Sequence, residues 1–535
     1  MPSLAASTPK KCTDLPDPLG AAQRHLISLF AAIVVALHMC SCATPSQSLR
    51  TGLEKSHYQQ LSSSAEIDAY LAELSRRSSH ARVTTIGASA LGKRIAGLVI
   101  SKDVDRFLAG RADSGALTVL LIGSQHGSEP SGAEALLLLA RDLVQGALEP
   151  LLAQTNFVLI PNSNPDGRDR NRRVNGDGVN LSTDFAALNE PESRAMVGAL
   201  HRWKPHVVLD IHESAVLKKK SLGAQGYLSD FECQFEGANN PNVAEEIRSF
   251  TYEQLLPDVI DKVSDQGLPA QRYIGEITDI RQPITHGGLS LRNMRNLAGM
   301  MGAFSFLVEN RLDPSTGTYS TPRNIEARVA KQYLAVATFL RRCIAHRAEI
   351  VDICARVRRQ WEEPRSEAPL LLSYGYAPDP DEPEIILPMR ALATGEQAMQ
   401  RYRYFGAIVS GDPVSMPTSY IVTSHQSLMK EVLDGHRIRY QIISEFLTVP
   451  ATIRRIIDRR PVTTDTKQHS YRYLMLERAM PYTARPGDLL IPLDQPSRRL
   501  IPLLLEPRSM SSLFNAPGYS DLVQEQRDFF IHRTP

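Results

Sequence analysis

The chain has 535 residues, 42% hydrophobic and 22% charged, with a formal net charge of +2. That composition excludes a disordered or collagen-like chain and leaves no bulk electrostatic case for a nucleic-acid partner. At ~150 residues per domain the length suits two to four domains, each large enough to fold without disulfide staples. The six cysteines (Cys12, Cys40, Cys42, Cys233, Cys343 and Cys354) show no CxxC or Cys/His spacing of a structural zinc site. Cys343 and Cys354 sit in a helical stretch and read as core thiols.

In chain order, the first signal is an apolar run, Leu26 to Met39, preceded by Arg24 and His25. It falls short of the ~20 residues of a bilayer span and fits the apolar centre of an export signal. Met1 to Leu19 is long for the leader of such a segment. Cys40-Ser41-Cys42 follows at once and resembles a bacterial lipoprotein cleavage site with Cys42 as the lipidated residue. The expectation is therefore an exported protein of the periplasm or cell envelope, lipid-anchored through Cys42. Membrane contact is expected only through that N-terminal anchor.

Residues 1–42 are read as the export segment and 43–64 as a polar, Ser-rich tether. Ser63-x-x-Glu66 is a capping box that opens a helix with Ile67, Tyr70, Leu71 and Leu74 on one face. Ala116 to Ile122 is a buried-strand run, Gly132 to Leu143 a helix, and Phe157 to Ile160 a strand. Pro191 to Trp203 is a helix, His206 to Ile211 a strand, and Asn296 to Phe306 a helix leading into a strand. Asn324 to Glu362 is helical. Strands alternating with helices predict an α/β domain over 65–350, a three-layer α/β/α sandwich with a mixed sheet.

Prolines at 364, 369, 378, 380, 383, 388 and 413 mark a change of composition. The segment 351–385 is read as a helix end and a Pro-rich linker. Beyond it, 386–535 is read as a smaller β-rich domain with strands at Ser419 to Thr423, Tyr440 to Ile443, Ser470 to Leu476, Leu489 to Leu493 and Leu500 to Leu505. Basic clusters such as Arg454-Arg455 with Arg459-Arg460 are accounted for by a solvated face.

Two clusters carry chemistry. Gly123-Ser124-Gln125-His126-Gly127-Ser128-Glu129-Pro130 follows a strand and opens a helix. His-x-x-Glu lets an imidazole nitrogen and a carboxylate oxygen reach one metal ion at ~2.0–2.2 Å from a tight turn. Asp210-Ile211-His212-Glu213 closes a second strand, and open α/β sheets bind ligands at such strand ends. A His₂Glu set leaves the fourth position of zinc open, which is the catalytic arrangement.

With Asn164-Pro165-Asp166-Gly167, Arg173-Val174-Asn175, Gly178 to Phe185 and Ser305-Phe306-Leu307-Val308-Glu309-Asn310-Arg311, the sequence resembles the zinc carboxypeptidases, or funnelins, peptidase family M14, over roughly Ala65 to Ile350. The resemblance implies one Zn²⁺ per chain on His126, Glu129 and His212. It implies that Arg173, or Arg172 in a shifted register, polarises the scissile carbonyl. Glu309 would be the general base that takes a proton from the attacking water and passes it to the leaving amine. The substrate would be a peptide or peptide-like molecule. Pro486-Gly487-Asp488 through Gln495-Pro496, and Leu503 to Pro507, resemble an accessory domain that some bacterial members carry.

Three departures bear on specificity. Ser182-Thr183 stands where the family has an Asn-Arg pair that grips a carboxylate, so neither of these substrate-binding candidates carries charge. Asn180 stands where an aspartate orients the first zinc histidine. Gly287-Gly288 falls where a substrate-capping tyrosine is expected, and Arg292 or Arg295 is the candidate replacement anchor. Three readings follow: a metallocarboxypeptidase, an amidase or endopeptidase on cell-wall peptides, and a non-catalytic zinc-binding envelope lipoprotein. A serine esterase is not supported, because no G-x-S-x-G elbow is present.

Overall fold

The computed structural model describes residues 49–111, 115–215, 222–275, 277–312, 324–362, 369–463 and 469–535. The export segment with Leu26 to Met39, Cys12, Cys40 and Cys42, the first residues of the expected tether and Pro364 lie outside the described residues. Among those described, no helix is long and apolar enough to cross a membrane.

The first half is built on an eight-stranded mixed sheet. Its strands are β1 (Ala81–Ala88), β2 (Arg94–Ile100), β3 (Leu117–Gly123), β4 (Thr155–Ile160), β5 (Val207–Ala215), β7 (Cys233–Gly237), β8 (Ala270–Arg272) and β9 (Phe304–Leu312), in the order β1-β2-β4-β3-β5-β9-β7-β8. The four central strands, β4, β3, β5 and β9, run parallel. Every residue of β3 and β4 is buried, as expected of parallel strands covered by helices on both faces. That is why both read as unbroken apolar runs rather than as alternating ones.

The helix Ser64–Arg77 forms with its capping box complete, and Ile67, Tyr70, Leu71 and Leu74 are its buried face. It packs with the helix Ser131–Gln145, which in turn packs with Ile325–Ala345. The helix Pro191–Trp203 has the expected bounds, and the predicted helical stretch after Asn324 is two helices, Ile325–Ala345 and Arg347–Glu362.

Two expectations change. The tether is not free from Arg50 onward. Thr51 caps a short helix, Gly52–Lys55, and Leu53 packs with Ala135, Ile325 and Val329. Ser62 donates from its backbone to Glu134 Oε1 at 2.8 Å. A buried leucine and a buried carboxylate outweigh the polar composition that suggested a tether. Leu500–Leu505, expected as a strand, is a helix with all six residues buried. A short apolar run has no periodicity to distinguish the two states once both faces are covered.

The C-terminal part is β-rich and joined to the first half. Arg50–Pro535 form one compact unit. The segment read as a linker contains β10 (Leu370–Ala377), which pairs with β13 (Ala407–Val414). Strand β11 (Glu384–Ala391) lies between β12 (Gln397–Arg403) and β6 (Tyr227–Ser229), a strand contributed by the first half. A six-stranded antiparallel sheet follows the order β15-β18-β14-β19-β16-β17. Its members are β14 (Ser419–Val422), β15 (Gln441–Ile442), β16 (Leu447–Thr463), β17 (His469–Ala484), β18 (Leu489–Pro492) and β19 (Ile531–Thr534). Cys233, Cys343 and Cys354 are buried free thiols.

Candidate metal centre

The site lies at the carboxyl ends of β3, β5 and β9. After β3 the chain turns sharply at Ser124, whose φ is 54°. A Cβ on Gly127 would lie 2.0 Å from the backbone carbon of Gly167, so only glycine lets this turn meet the Asn164-Pro165-Asp166-Gly167 turn. Asn164 joins the two turns. Its Oδ1 accepts from Gly167 N at 2.9 Å, and its Nδ2 donates to Gln125 O at 2.9 Å.

His126, Glu129 and His212 are buried, and each offers one ligand atom within 4.8 Å of the others. His126 Nδ1 lies 2.8 Å from Glu129 Oε1, and His212 Nδ1 lies 3.0 Å from Glu129 Oε2. The two Nδ1 atoms are 3.2 Å apart. The far nitrogens are already engaged. His126 Nε2 donates to Asn180 Oδ1 at 3.0 Å, and His212 Nε2 donates to Asp210 Oδ2 at 2.9 Å. Both imidazoles therefore point a lone pair at the same small volume, beside an acidic oxygen. A cation relieves that clash, and two imidazoles with one carboxylate make a donor set that suits zinc.

Glu309 stands beside this cluster because β9 runs parallel to β5 with Glu309 opposite His212. Its Oε2 is buried and has no hydrogen-bond partner among the described residues. Burial, with the Glu129 and Asp210 carboxylates adding to it against His212 and Arg173, pushes its carboxyl up to about 8. Arg173 Nη1 donates to Glu129 Oε1 at 2.8 Å, and its side chain is 55% exposed, which puts the guanidinium at the mouth of the site. Of the two arginines considered, Arg173 is the one that reaches a member of the cluster.

The substrate-binding candidates separate. Ser182 Oγ donates to Asn180 Oδ1 at 2.9 Å and lies 3.2 Å from His126 Nε2, behind the imidazole. Thr183 Oγ1 donates to Asn180 O at 3.0 Å. Both hydroxyls bond within their own turn. Arg295 is buried, its Nη2 donating to Asn239 Oδ1 at 3.0 Å and Gly288 O at 2.9 Å, so it braces a loop. Arg292 lies nearer, with Nε donating to Thr183 O at 3.3 Å.

Sequence reasoning left several residues without a role. Asp210 precedes His212 by two positions on a strand, so the two share a face, and that spacing was a usable signal. Glu213 takes Arg328 in a buried pair at 2.7 Å and accepts from Ser131 N at 3.0 Å. Gln332 donates to His212 O at 2.6 Å, and its own Oε1 accepts from Asn310 Nδ2 at 2.7 Å. Arg328 and Gln332 come from a helix more than 100 positions away, and no spacing pointed to them.

Residues 67–220, which include all three convergent residues, match the family model described as zinc carboxypeptidase. Over that segment the chain is similar to the zinc carboxypeptidases. Glu309 lies beyond the matched segment. The chain is 26% identical over 259 residues to Carboxypeptidase 2 of Trichophyton tonsurans, covering 47% of this chain and 46% of that protein. The chain is 23% identical over 416 residues to Carboxypeptidase 2 of Trichophyton rubrum, covering 74% and 73%. It is 27% identical over 189 residues to Carboxypeptidase E of Caenorhabditis elegans, covering 31% and 38%. It thus spans about half the length of the first curated relatives it matches. A solved carboxypeptidase A from Helicoverpa armigera aligns at a TM-score of 0.43 and 19% identity, covering 60% of this chain and 81% of that one.

Proposed function

We propose that the protein is a zinc-dependent hydrolase of peptide or amide bonds, one ion per chain, held by His126, Glu129 and His212. The observation that carries this reading is the convergence of two imidazole Nδ1 atoms on Glu129 with an unpartnered carboxylate oxygen, Glu309 Oε2, on the adjacent strand. Zinc, when bound, supplies the Lewis acidity that makes water nucleophilic near neutral pH. Glu309 takes the proton from the attacking water and returns it to the leaving nitrogen. Its raised affinity for a proton suits both halves of that transfer. Arg173 faces the developing oxyanion from the rim, where a fixed guanidinium stabilises charge formed only in the transition state. Asn180 and Asp210 keep both imidazoles in the tautomer that leaves Nδ1 unprotonated.

The test is metal content combined with cleavage of a peptide library. Wild-type protein should hold one zinc and cleave. His126→Ala and His212→Ala should both lose the metal, and full occupancy in either would remove the ligand assignment. Glu309→Gln should keep zinc and lose turnover. Arg173→Ala should slow cleavage by ~10²–10³-fold.

We further propose export to the cell envelope with a lipid on Cys42, supported by the apolar run Leu26 to Met39 before Cys40-Ser41-Cys42. Metabolic labelling with a fatty acid, lost in Cys42→Ser, checks it.

A further inference from the structure

The long hairpin of β16 and β17 leaves part of one face uncovered. β17 is the edge strand of the six-stranded sheet, and its side chains alternate between two faces. On one face Tyr473 is buried, its Oη donating to Phe514 O at 2.9 Å. On the same face Glu477 Oε1 lies 3.6 Å from Arg508 Nη2 and 3.4 Å from Arg533 Nη1. The other face carries Arg472, Leu474, Leu476, Arg478 and Met480, and continues to Tyr482 and Ala484. Its inner end is covered, because Ala484 packs with Ile421 and Ile443, and Val449 and Tyr482 lie against them. From Met480 outward the cover stops. Leu474 is 58% exposed, Leu476 47% and Met480 49%.

Residues of β16 directly opposite share that face. Arg460 pairs with Arg472, Asp458 with Leu474, and Arg455 with Leu476. The basic pairs Arg454-Arg455 and Arg459-Arg460 therefore divide across the ribbon. Arg454 is buried on Glu506, and Arg459 lies 3.7 Å over the Tyr471 ring. Arg455 and Arg460 are on the open side, with Arg455 3.9 Å from Asp528 and Arg460 2.5 Å from Asp458. Arg472 and Arg478 are exposed, and among the described residues no carboxylate pairs with either.

Contiguous exposed apolar side chains mark a binding surface, and the chemistry here selects the partner. That partner presents hydrocarbon to Leu474, Leu476 and Met480, and anions to Arg472 and Arg478. A second copy laid face to face would set Arg472 and Arg478 against the same cations. A bilayer with anionic headgroups meets both demands, with phosphates at the level of the guanidinium groups and acyl chains below for the apolar side chains.

We propose that the outer face of the β16–β17 ribbon docks on an anionic phospholipid surface. Leu474, Leu476 and Met480 enter the headgroup boundary, and Arg472 and Arg478 bind phosphates. This contact is additional to the one through Cys42 and does not depend on the hydrolase reading.

The experiment uses the full chain carrying Cys42→Ser, so that no acyl group contributes. The vesicles are phosphatidylcholine alone, or phosphatidylcholine mixed equally with phosphatidylglycerol. Binding should be about 10-fold or more stronger to the mixed vesicles and should weaken with added salt. Leu474→Ser with Leu476→Ser, and separately Arg472→Gln with Arg478→Gln, should each lower the partition coefficient about 10-fold. The melting temperature should not change, since all four side chains are exposed.

Leu26 to Met39 is itself apolar, so a local probe reads the face directly. Emission from Leu476→Trp should shift to shorter wavelength on the mixed vesicles and be quenched by brominated acyl chains. Met399→Trp, at an exposed position on β12, should show neither. An unshifted Leu476→Trp emission would overturn the proposal, whatever the total binding. Dimerisation without lipid that is lost in Leu474→Ser with Leu476→Ser would give the face to a second copy. Binding of polyglutamate in preference to vesicles would give it to an acidic protein. Either result removes the lipid assignment.

Discussion

Asp210 and Asn180 decide which nitrogen of each histidine faces the metal volume. Each accepts a hydrogen bond from the outer Nε2–H, so each Nδ1 is left with a lone pair. A carboxylate does this more firmly than an amide, since it has no N–H to present in the alternative orientation. Asp210→Asn should therefore weaken zinc about 10- to 100-fold in a competition titration with a chelating dye. Asn180→Asp should strengthen it. Loss of no affinity in Asp210→Asn would mean that backbone position alone orients His212. Asn180 was legible as a departure from a motif. The pairing of Asp210 with His212 became clear only from the 2.9 Å contact.

At the scale of elements, the metal centre depends on three strand ends meeting one turn and one helix. The turn after β3 and the turn after β4 touch through two glycines, Gly127 and Gly167. Gly127→Ala would put a methyl 2.0 Å from the backbone of Gly167, and backbone cannot yield as a side chain can. The expected result is a loss of more than about 3 kcal/mol in urea unfolding together with reduced zinc content, since His126 moves with the turn. Behind the site, Glu213 joins β5 to the helix Ile325–Ala345 through Arg328. Glu213→Gln removes the carboxylate charge from that buried pair, and should cost about 3–5 kcal/mol in the same assay. The strands β3, β4, β5 and β9 could be read from the sequence because parallel strands buried on both faces are apolar throughout. Leu500–Leu505 has the same appearance and is a helix, because six apolar residues carry no periodicity. The strands β10 to β13 were not read, since their faces mix polar and apolar residues and their partners lie far along the chain.

Over the whole molecule, the C-terminal part is tied to the first half by strand pairing and holds its own buried charges. Glu506 is buried with Arg454 and Arg533, and it accepts from Tyr420 Oη at 2.7 Å. Burial opposes its charge, but the Arg454 and Arg533 guanidinium groups and Tyr420 hold its carboxyl down at about 2. An ordinary glutamate, as in the unfolded chain, titrates at 4.5. On acidification the unfolded state binds this proton first, so the stabilisation is present above pH 4.5 and is lost as pH falls toward 2. Urea midpoints should therefore drop steeply between about pH 4.5 and 2 in the wild type. Glu506→Gln should be less stable at pH 7 and show a shallower drop. A parallel decline in both would assign the acid sensitivity to other carboxylates.

Local spacing and apolar runs in the sequence carried the strands β3, β4, β5 and β9, the capping box at Ser63 and the three candidate metal ligands. Only the tertiary structure decided which nitrogen of each histidine is available, that the Ser182 and Thr183 hydroxyls bond to Asn180, and that Arg292 donates to Thr183 O. Those properties are set by neighbours more than 50 residues apart along the chain, such as Asn180 against His126 and Arg292 against Thr183. Contacts of that range arise from sheet register and helix packing, which no short window of sequence contains.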